Sequence, residues 1–216
     1  MSRSSKSRAL IENARKNRFV GRLSEDGCLV NLAGNYDYLQ LPYYVSEDYE
    51  NEGKPIRPTC KDMIDAYVPP LFLEKARLAG VAVPEFYISN GYFEPPVIVD
   101  PINPFTLKGR VVLKPSRAKS IAKSLTRNYT YAVCCQELPH GSQIVYFKAI
   151  LGWCAIGRFG QLARTIWDVF SIPVARVRAI RVADDKLLLS DIGLLPFADL
   201  ALREIAYIQE RVIWGN

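Results

Sequence analysis

Residues 174–193 read VARVRAIRVADDKLLLSDIG, and the kind of fold to expect turns on this stretch. From Val174 to Val182 apolar and basic or small positions alternate, the period of a strand with one face packed and one wet. The alternation puts Arg176, Arg178 and Arg181 near the wet side. Asp184-Asp185 supplies a polar turn, and Lys186 to Gly193 reads as the next strand. Outward from this pair, QIVYFKAILGWCAIGRF (143–159) reads as a hairpin turning at Gly152. YAVCCQELP (131–139) is a further strand, and GRVVLKP (109–115) a short one with Lys114 near its end. Residues 161–171 place Leu162, Ile166, Val169 and Phe170 on one helical face, and DLALREIAYIQERV (199–212) is an amphipathic helix.

The amino-terminal part has a different texture. CLVNLA (28–33) is a short buried strand ended by Gly34-Asn35. The tyrosine-rich segment 36–49 carries Ser46 before acidic residues, which suits a helix opened by a serine cap. Gly53 stops it, and PIRP (55–58) is extended because proline fixes φ and restrains its neighbour. CKDMIDAYV (60–68) and Leu71 to Ala79 are helices, the second closed by Gly80. VAVPEFYIS (81–89) is a strand, and residues 89–110, rich in Pro, Asn and Gly, read as a loop. The order is αβ units, then an antiparallel meander, then a helix, which gives an α/β to α+β fold.

Composition excludes several classes. The chain has 216 residues and is 49% hydrophobic, enough for one large domain or two small packed ones. No apolar run approaches the ~20 residues that span a bilayer. The first ten residues, MSRSSKSRAL, lack the apolar core of a secretory leader. Cys28, Cys60, Cys134, Cys135 and Cys154 are odd in number and form no CxxC pair, and His140 is the only histidine. Reduced thiols and a cytoplasmic location are therefore expected, without a disulfide framework or a structural zinc.

The net charge of +6 comes from residues 1–22, which hold seven Lys/Arg and one Glu. That segment is expected to be a mobile basic arm, with a short helix over 8–18. Residues 25–65 hold nine acids against three bases, and residues 101–136 hold seven bases and no acid. An acid-free stretch beside a strand lysine suits an anionic ligand. Tyr36, Tyr38, Tyr43, Tyr44 and Tyr49 could stack on bases, but the acids among them would repel a polyanion, so nucleic acid is not the expected partner.

Taken in order, these pieces resemble the ATP-grasp family, most of all its RimK-like branch. LEKARLAGVAVPEF (73–86) is similar to the helix, Gly and Pro that enter the nucleotide-binding lobe. VVLKP (111–115) resembles the strand whose lysine contacts ATP phosphates, which gives Lys114 that role. VCCQELP (133–139) resembles the hinge that holds adenine, with Gln136, Glu137 and Leu138 in place. KLLLSDIGLLP (186–196) resembles the late strand that carries the metal-binding acid, Asp191, and NLAGNYDYLQLPYYVSEDYENEGKPIRPT (31–59) resembles the branch's amino-terminal domain. The likeness covers about residues 29–213.

Beyond the basic arm over 1–22, it implies a truncated αβ domain over 23–80 and an ATP-grasp-like antiparallel region over 81–216. It also implies ATP and Mg2+ as cofactors, and ligation of a carboxylate to an amine through an acylphosphate, on an amino acid or peptide. Lys148 would be a second phosphate-side cation, and Arg176 or Arg178 would act in catalysis by offsetting the charge lost with a missing metal ligand. The departures are equally specific. PSRAKSIAKSLTRN (115–128) has no glycine where the family has a flexible loop, although Arg117, Lys119, Lys123 and Arg127 could grip phosphates. The first metal position falls near Arg178 and is not acidic, and Gly193 stands where an Asn is expected. Asp191 could hold a metal or pair with Arg176 or Arg178. A non-catalytic member that binds a nucleotide or scaffolds a partner is the alternative.

Overall fold

The computed structural model describes residues 19–103, 109–183 and 186–214. Eleven strands and six α-helices are described, and the chain divides into two compact units built from non-consecutive segments. Among the described residues, the first comprises those up to Ile64, Lys148–Ala175 and those from Leu194; the second comprises those within Asp65–Phe147 and Arg176–Gly193. The expected helix over 8–18 lies outside the described residues.

In the first unit a four-stranded sheet has the order β11-β1-β2-β3, from β1 (Val20–Leu23), β2 (Leu29–Asn31), β3 (Ile56–Arg57) and β11 (Val212–Trp214). β1 pairs antiparallel with both β2 and β11. This corrects the expected arm over 1–22: Val20, Gly21 and Arg22 belong to an inner strand of a sheet. The strand is apolar at Val20 and Leu23, and a Cβ at Gly21 would collide with Val212, so glycine is what lets the two strands meet.

Helix α1 (Leu41–Asn51) starts with Pro42 in its first turn, and Ser46 is no cap. It lies mid-helix, buried, where its hydroxyl accepts from Asn31 Nδ2 at 3.1 Å. Gly34 has φ +73 and lies against the Leu195 carbonyl, an approach no other residue tolerates. Leu23, Val30, Leu32, Ile150, Val174, Leu195, Ile208 and Val212 form the core here. α5 (Gly160–Phe170) and α6 (Leu202–Gln209) complete the unit. Only Ile150 and Trp153 bridge at the expected hairpin, because Gly157–Phe159 forms a 3-10 turn instead of a second strand.

The second unit contains a four-stranded sheet of order β4-β7-β5-β6, from β4 (Phe86–Ser89), β5 (Val97–Pro101), β6 (Arg110–Val112) and β7 (Val133–Glu137). Inner strand β5 is buried along its whole length, within the region expected to be a loop. A strand covered on both faces shows a continuous apolar run (VIV) rather than alternation, and prolines on either side disguised it. The 115–128 stretch is likewise ordered: α4 (Pro115–Leu125) opens with Pro115 and packs Ala122 and Leu125 against Val97, Val99, Val112 and Val133.

α2 (Cys60–Tyr67) and α3 (Pro69–Leu78) lie where expected. Gly80, at φ +78, ends α3, with the Val81 N–H returning to the Ala76 carbonyl at 3.0 Å. The remaining strands, β8 (Gln143–Ile150), β9 (Val174–Arg181) and β10 (Leu187–Gly193), form a three-stranded sheet in the order β10-β9-β8.

Candidate functional site

The pairing of β9 with β10 is irregular at one point. Leu189 pairs with Ala179 and Asp191 with Arg178, so Ser190 is an extra residue, a bulge. A bulge re-aims side chains, and here Ser190 and Arg178 are both buried. Arg176, two residues earlier on the same face, is exposed, with its guanidinium 4.6 Å from the Tyr146 ring centroid. Arg178 is therefore not on the wet side, because alternation gives the period of a strand and not where along it the cover begins.

Arg178 is held by a closed ring of hydrogen bonds. Its Nη1 and Nη2 donate to Asp100 Oδ1 (3.1 Å) and Oδ2 (2.6 Å), and its Nε donates to Ser190 Oγ (2.9 Å). Ser190 Oγ donates to Gln136 Oε1 at 2.7 Å, and Gln136 Nε2 donates to Asp100 Oδ2 at 2.7 Å. Asp100, Gln136, Arg178 and Ser190 thus satisfy one another in the interior, as buried polar groups must. The bidentate fork is the strongest geometry a carboxylate and a guanidinium can adopt.

Asp191 stands outside the ring, its Oδ2 3.8 Å from Arg178 Nη1. One guanidinium faces two carboxylates, and Asp100 has taken both of its good donors. Burial pushes Asp191 up to about 7, Arg178 acts against this, and the Asp100 charge adds to it.

The other expected site residues are placed as follows. The side chain of Gln136 is spent inside the ring. Glu137 ends β7 with an exposed side chain; its N–H donates to the Glu85 carbonyl (2.9 Å), and the Leu138 N–H donates to the Pro96 carbonyl (3.2 Å). Lys114 lies just beyond β6, at the cap position of α4, and is exposed. Among the described residues its side chain makes no hydrogen bond or ion pair. Arg117, Lys119 and Lys123 are exposed along the same helix. Lys148 lies in the first unit, where its ammonium donates to the Asp199 carbonyl (2.7 Å) and to Glu204 Oε2 (3.1 Å). Glu204 also accepts from the Ala201 N–H (2.7 Å), so Lys148 anchors the first turn of α6.

The second unit therefore brings Gln136, Arg178 and Asp191 together and leaves Lys114, Glu137 and Arg176 at its surface. Asp100 and Ser190 were not singled out from the sequence. Asp100 had a signal: an acid closing an apolar run before proline must find a partner. The donor set does not fit a magnesium ion, since a divalent cation wants free carboxylate oxygens and both carboxylates here face the same guanidinium. Among the described residues no group of three or more His, Cys, Asp or Glu could hold a metal. The thiols are all free; burial pushes those of Cys60 and Cys135 up to about 12 and that of Cys134 higher still.

The mixed α/β architecture with antiparallel sheets matches the fold of ATP-grasp proteins over part of their length. The model of the RimK-like ATPgrasp N-terminal domain (RLAN) matches residues 21–211, and the chain belongs to that family.

Among solved structures, a RimK domain protein ATP-grasp from Sphaerobacter thermophilus aligns at a TM-score of 0.56 with 14% identity, over 77% of this chain and 71% of that one. The D-alanine–D-alanine ligase of Bacillus anthracis complexed with ATP aligns at 0.56 with 14% identity, over 77% and 68%. The D-alanine–D-alanine ligase of Helicobacter pylori aligns at 0.53 with 13% identity, over 70% and 61%, so this chain spans less than two thirds of that enzyme. At these identities the likeness is one of fold. No curated protein matches the sequence. Among the described residues no helix is long and apolar enough to cross a membrane.

Proposed function

We propose that the chain is the amino-terminal module of a RimK-like ATP-grasp system and serves ATP-dependent carboxylate–amine ligation without itself holding the ATP and magnesium. In that chemistry ATP phosphorylates a carboxylate, and an amine displaces phosphate from the acylphosphate; the acid and amine would be an amino acid or peptide. The observation that carries the reading is the closed ring of Asp100, Gln136, Arg178 and Ser190. Of the side chains expected at an ATP site, Gln136 and Arg178 are satisfied within the ring, and Lys148 is spent on Asp199 and Glu204. Their contribution is rigidity: the ring ties β5 and β7 to β9 and β10 within one unit, and Lys148 ties β8 to α6. A module so built positions a substrate or a catalytic partner, which is where ligases gain from orientation.

The test compares ADP release by a RimK-like ATP-grasp catalytic region with and without this chain, fused or added in trans, over a panel of acids and amines. The expected result is turnover that depends on the chain, while the chain alone does not bind Mg-ATP at about millimolar concentration in calorimetry. Turnover indifferent to the chain would refute the reading.

One observation favours a second reading, in which the chain binds ATP itself: Lys114 is exposed and uncommitted at the amino end of α4. On that reading wild type binds ATP, and Lys114→Ala weakens binding about tenfold or more, the worth of one charge-assisted contact.

A further inference from the structure

The first unit contains a cleft of about 690 Å³ that plays no part in the ring network. That volume lies within the range of small-molecule sites. Its walls include Glu25 from the turn after β1, Arg164, Trp167 and Asp168 from α5, and Tyr207 and Arg211 at the end of α6. A smaller hollow of about 360 Å³ shares Gly152 and Arg164 with it.

The charges divide into a committed set and a free set. Arg211 is fixed: its Nη1 donates to Glu210 Oε2 (3.2 Å) and to the Tyr207 carbonyl (3.3 Å), and its guanidinium lies 3.6 Å from the Tyr207 ring centroid. Tyr207 in turn stacks on Trp153, centroids 4.6 Å apart and planes 15° from parallel. Trp167 carries the guanidinium of Arg57, 5.4 Å from its centroid. Aromatic walls of this cleft therefore already accept cations from the chain itself. Glu25, Arg164 and Asp168 are exposed and, among the described residues, have no ion-pair or hydrogen-bond partner. Arg164 and Asp168 stand four residues apart on α5, on one face of the helix.

Two free carboxylates and one free guanidinium carry a net charge of −1. A ligand with two cationic groups and one carboxylate would pair with each of them and neutralise the set. We infer that the cleft binds a free basic α-amino acid, with Asp168 taking its side-chain cation, Glu25 its α-ammonium group, Arg164 its carboxylate and the Trp167 ring its aliphatic chain. This supplies an acid or amine for the ligation proposed above and in that respect rests on it. Binding is measured without ATP or turnover, so the two fail separately.

The experiment titrates L-lysine into the full chain by calorimetry, with L-norleucine lacking the side-chain cation, cadaverine lacking the carboxylate, and the dipeptide Gly-Lys presenting lysine at a peptide end. L-lysine is expected to bind at least about tenfold more tightly than the others, as the loss of one charge-assisted contact requires. Asp168→Asn is expected to weaken lysine about tenfold and leave norleucine unchanged, and Arg164→Gln to weaken lysine and norleucine but not cadaverine. Both side chains are exposed, so unchanged melting temperatures verify the fold of each variant. Absence of lysine binding at about 10 mM, a concentration above most substrate-binding constants, overturns the inference. Equal affinity for lysine, norleucine and cadaverine does the same, and tighter binding of Gly-Lys replaces the free amino acid with a peptide end.

Discussion

Asp100 and Asp191 are both carboxylates within reach of Arg178, yet their substitutions should differ sharply. Asp100 accepts both arms of the guanidinium and the Gln136 amide, so Asp100→Ala leaves a charged group and an amide unpaired in the interior. The expected loss is about 3–5 kcal/mol in urea unfolding. Asp191 is the surplus negative charge, and Asp191→Asn should leave stability at neutral pH unchanged or slightly higher. The pH dependence has a definite sign. With the folded side chain raised to about 7 from an ordinary 3.8, the native state holds a proton that the unfolded state releases. The contribution of Asp191 to stability is thus fully present below about pH 4 and is lost as pH rises through 7. Solvent reaches part of the side chain, so the slope is shallow. A melting-temperature profile of Asp191→Asn from pH 4 to 8 should lack the decline that Asp191 gives the wild type, and identical profiles would show that burial does not raise Asp191.

At the scale of elements, the sequence disclosed most strands and helices and concealed their cover. The β9 and β10 strands, the α3 helix with its Gly80 stop and the α5 helix follow directly from periodicity and glycine placement. β5 was concealed because a strand buried on both faces has no alternation to read, and the neighbouring prolines signal a loop. Arg178 was assigned to the wet side because periodicity does not reveal where along a strand the cover begins. β1 was concealed by its charged surroundings, since Arg22 falls within the basic amino-terminal segment. The deletion series follows from β1: removal of residues 1–18, one-sided in charge and poor in apolar residues, should shift the melting temperature by no more than a few degrees. Removal of residues 1–23 takes an inner strand from the sheet, separates β11 from β2, and should unfold the first unit in circular dichroism. Lys148 is a second case at this scale. Lys148→Met leaves Glu204 buried with only the Ala201 N–H, and about 1.5–3 kcal/mol is the worth of a hydrogen bond to a charged group. Lys148 is about a third exposed (35%), so the expected loss lies at the lower end and is read from urea midpoints; unchanged midpoints would return Lys148 to the phosphate-binding role expected from the sequence.

For the whole molecule, the question of where ATP and magnesium are held can be answered from stability alone. A ligand that binds only the folded state raises stability by RT ln(1 + [L]/Kd), about 2.7 kcal/mol at a hundredfold excess over Kd. A chain that held Mg-ATP would therefore melt several degrees higher in its presence, and EDTA would reverse the shift. In this fold the carboxylates Asp100 and Asp191 answer to Arg178, and the Gln136 side chain and the amides of Glu137 and Leu138 have partners within the chain. Mg-ATP, Mg2+ alone and EDTA should accordingly leave the melting temperature of the isolated chain unchanged to within about a degree, because none of them finds a vacant donor set there. A rise of several degrees with Mg-ATP, abolished by Lys114→Ala, would place the nucleotide on this chain and make the ring of Asp100, Gln136, Arg178 and Ser190 the floor of its site. A flat response, together with ligase turnover that requires the chain, would leave the chemistry to the catalytic partner and the positioning to this module.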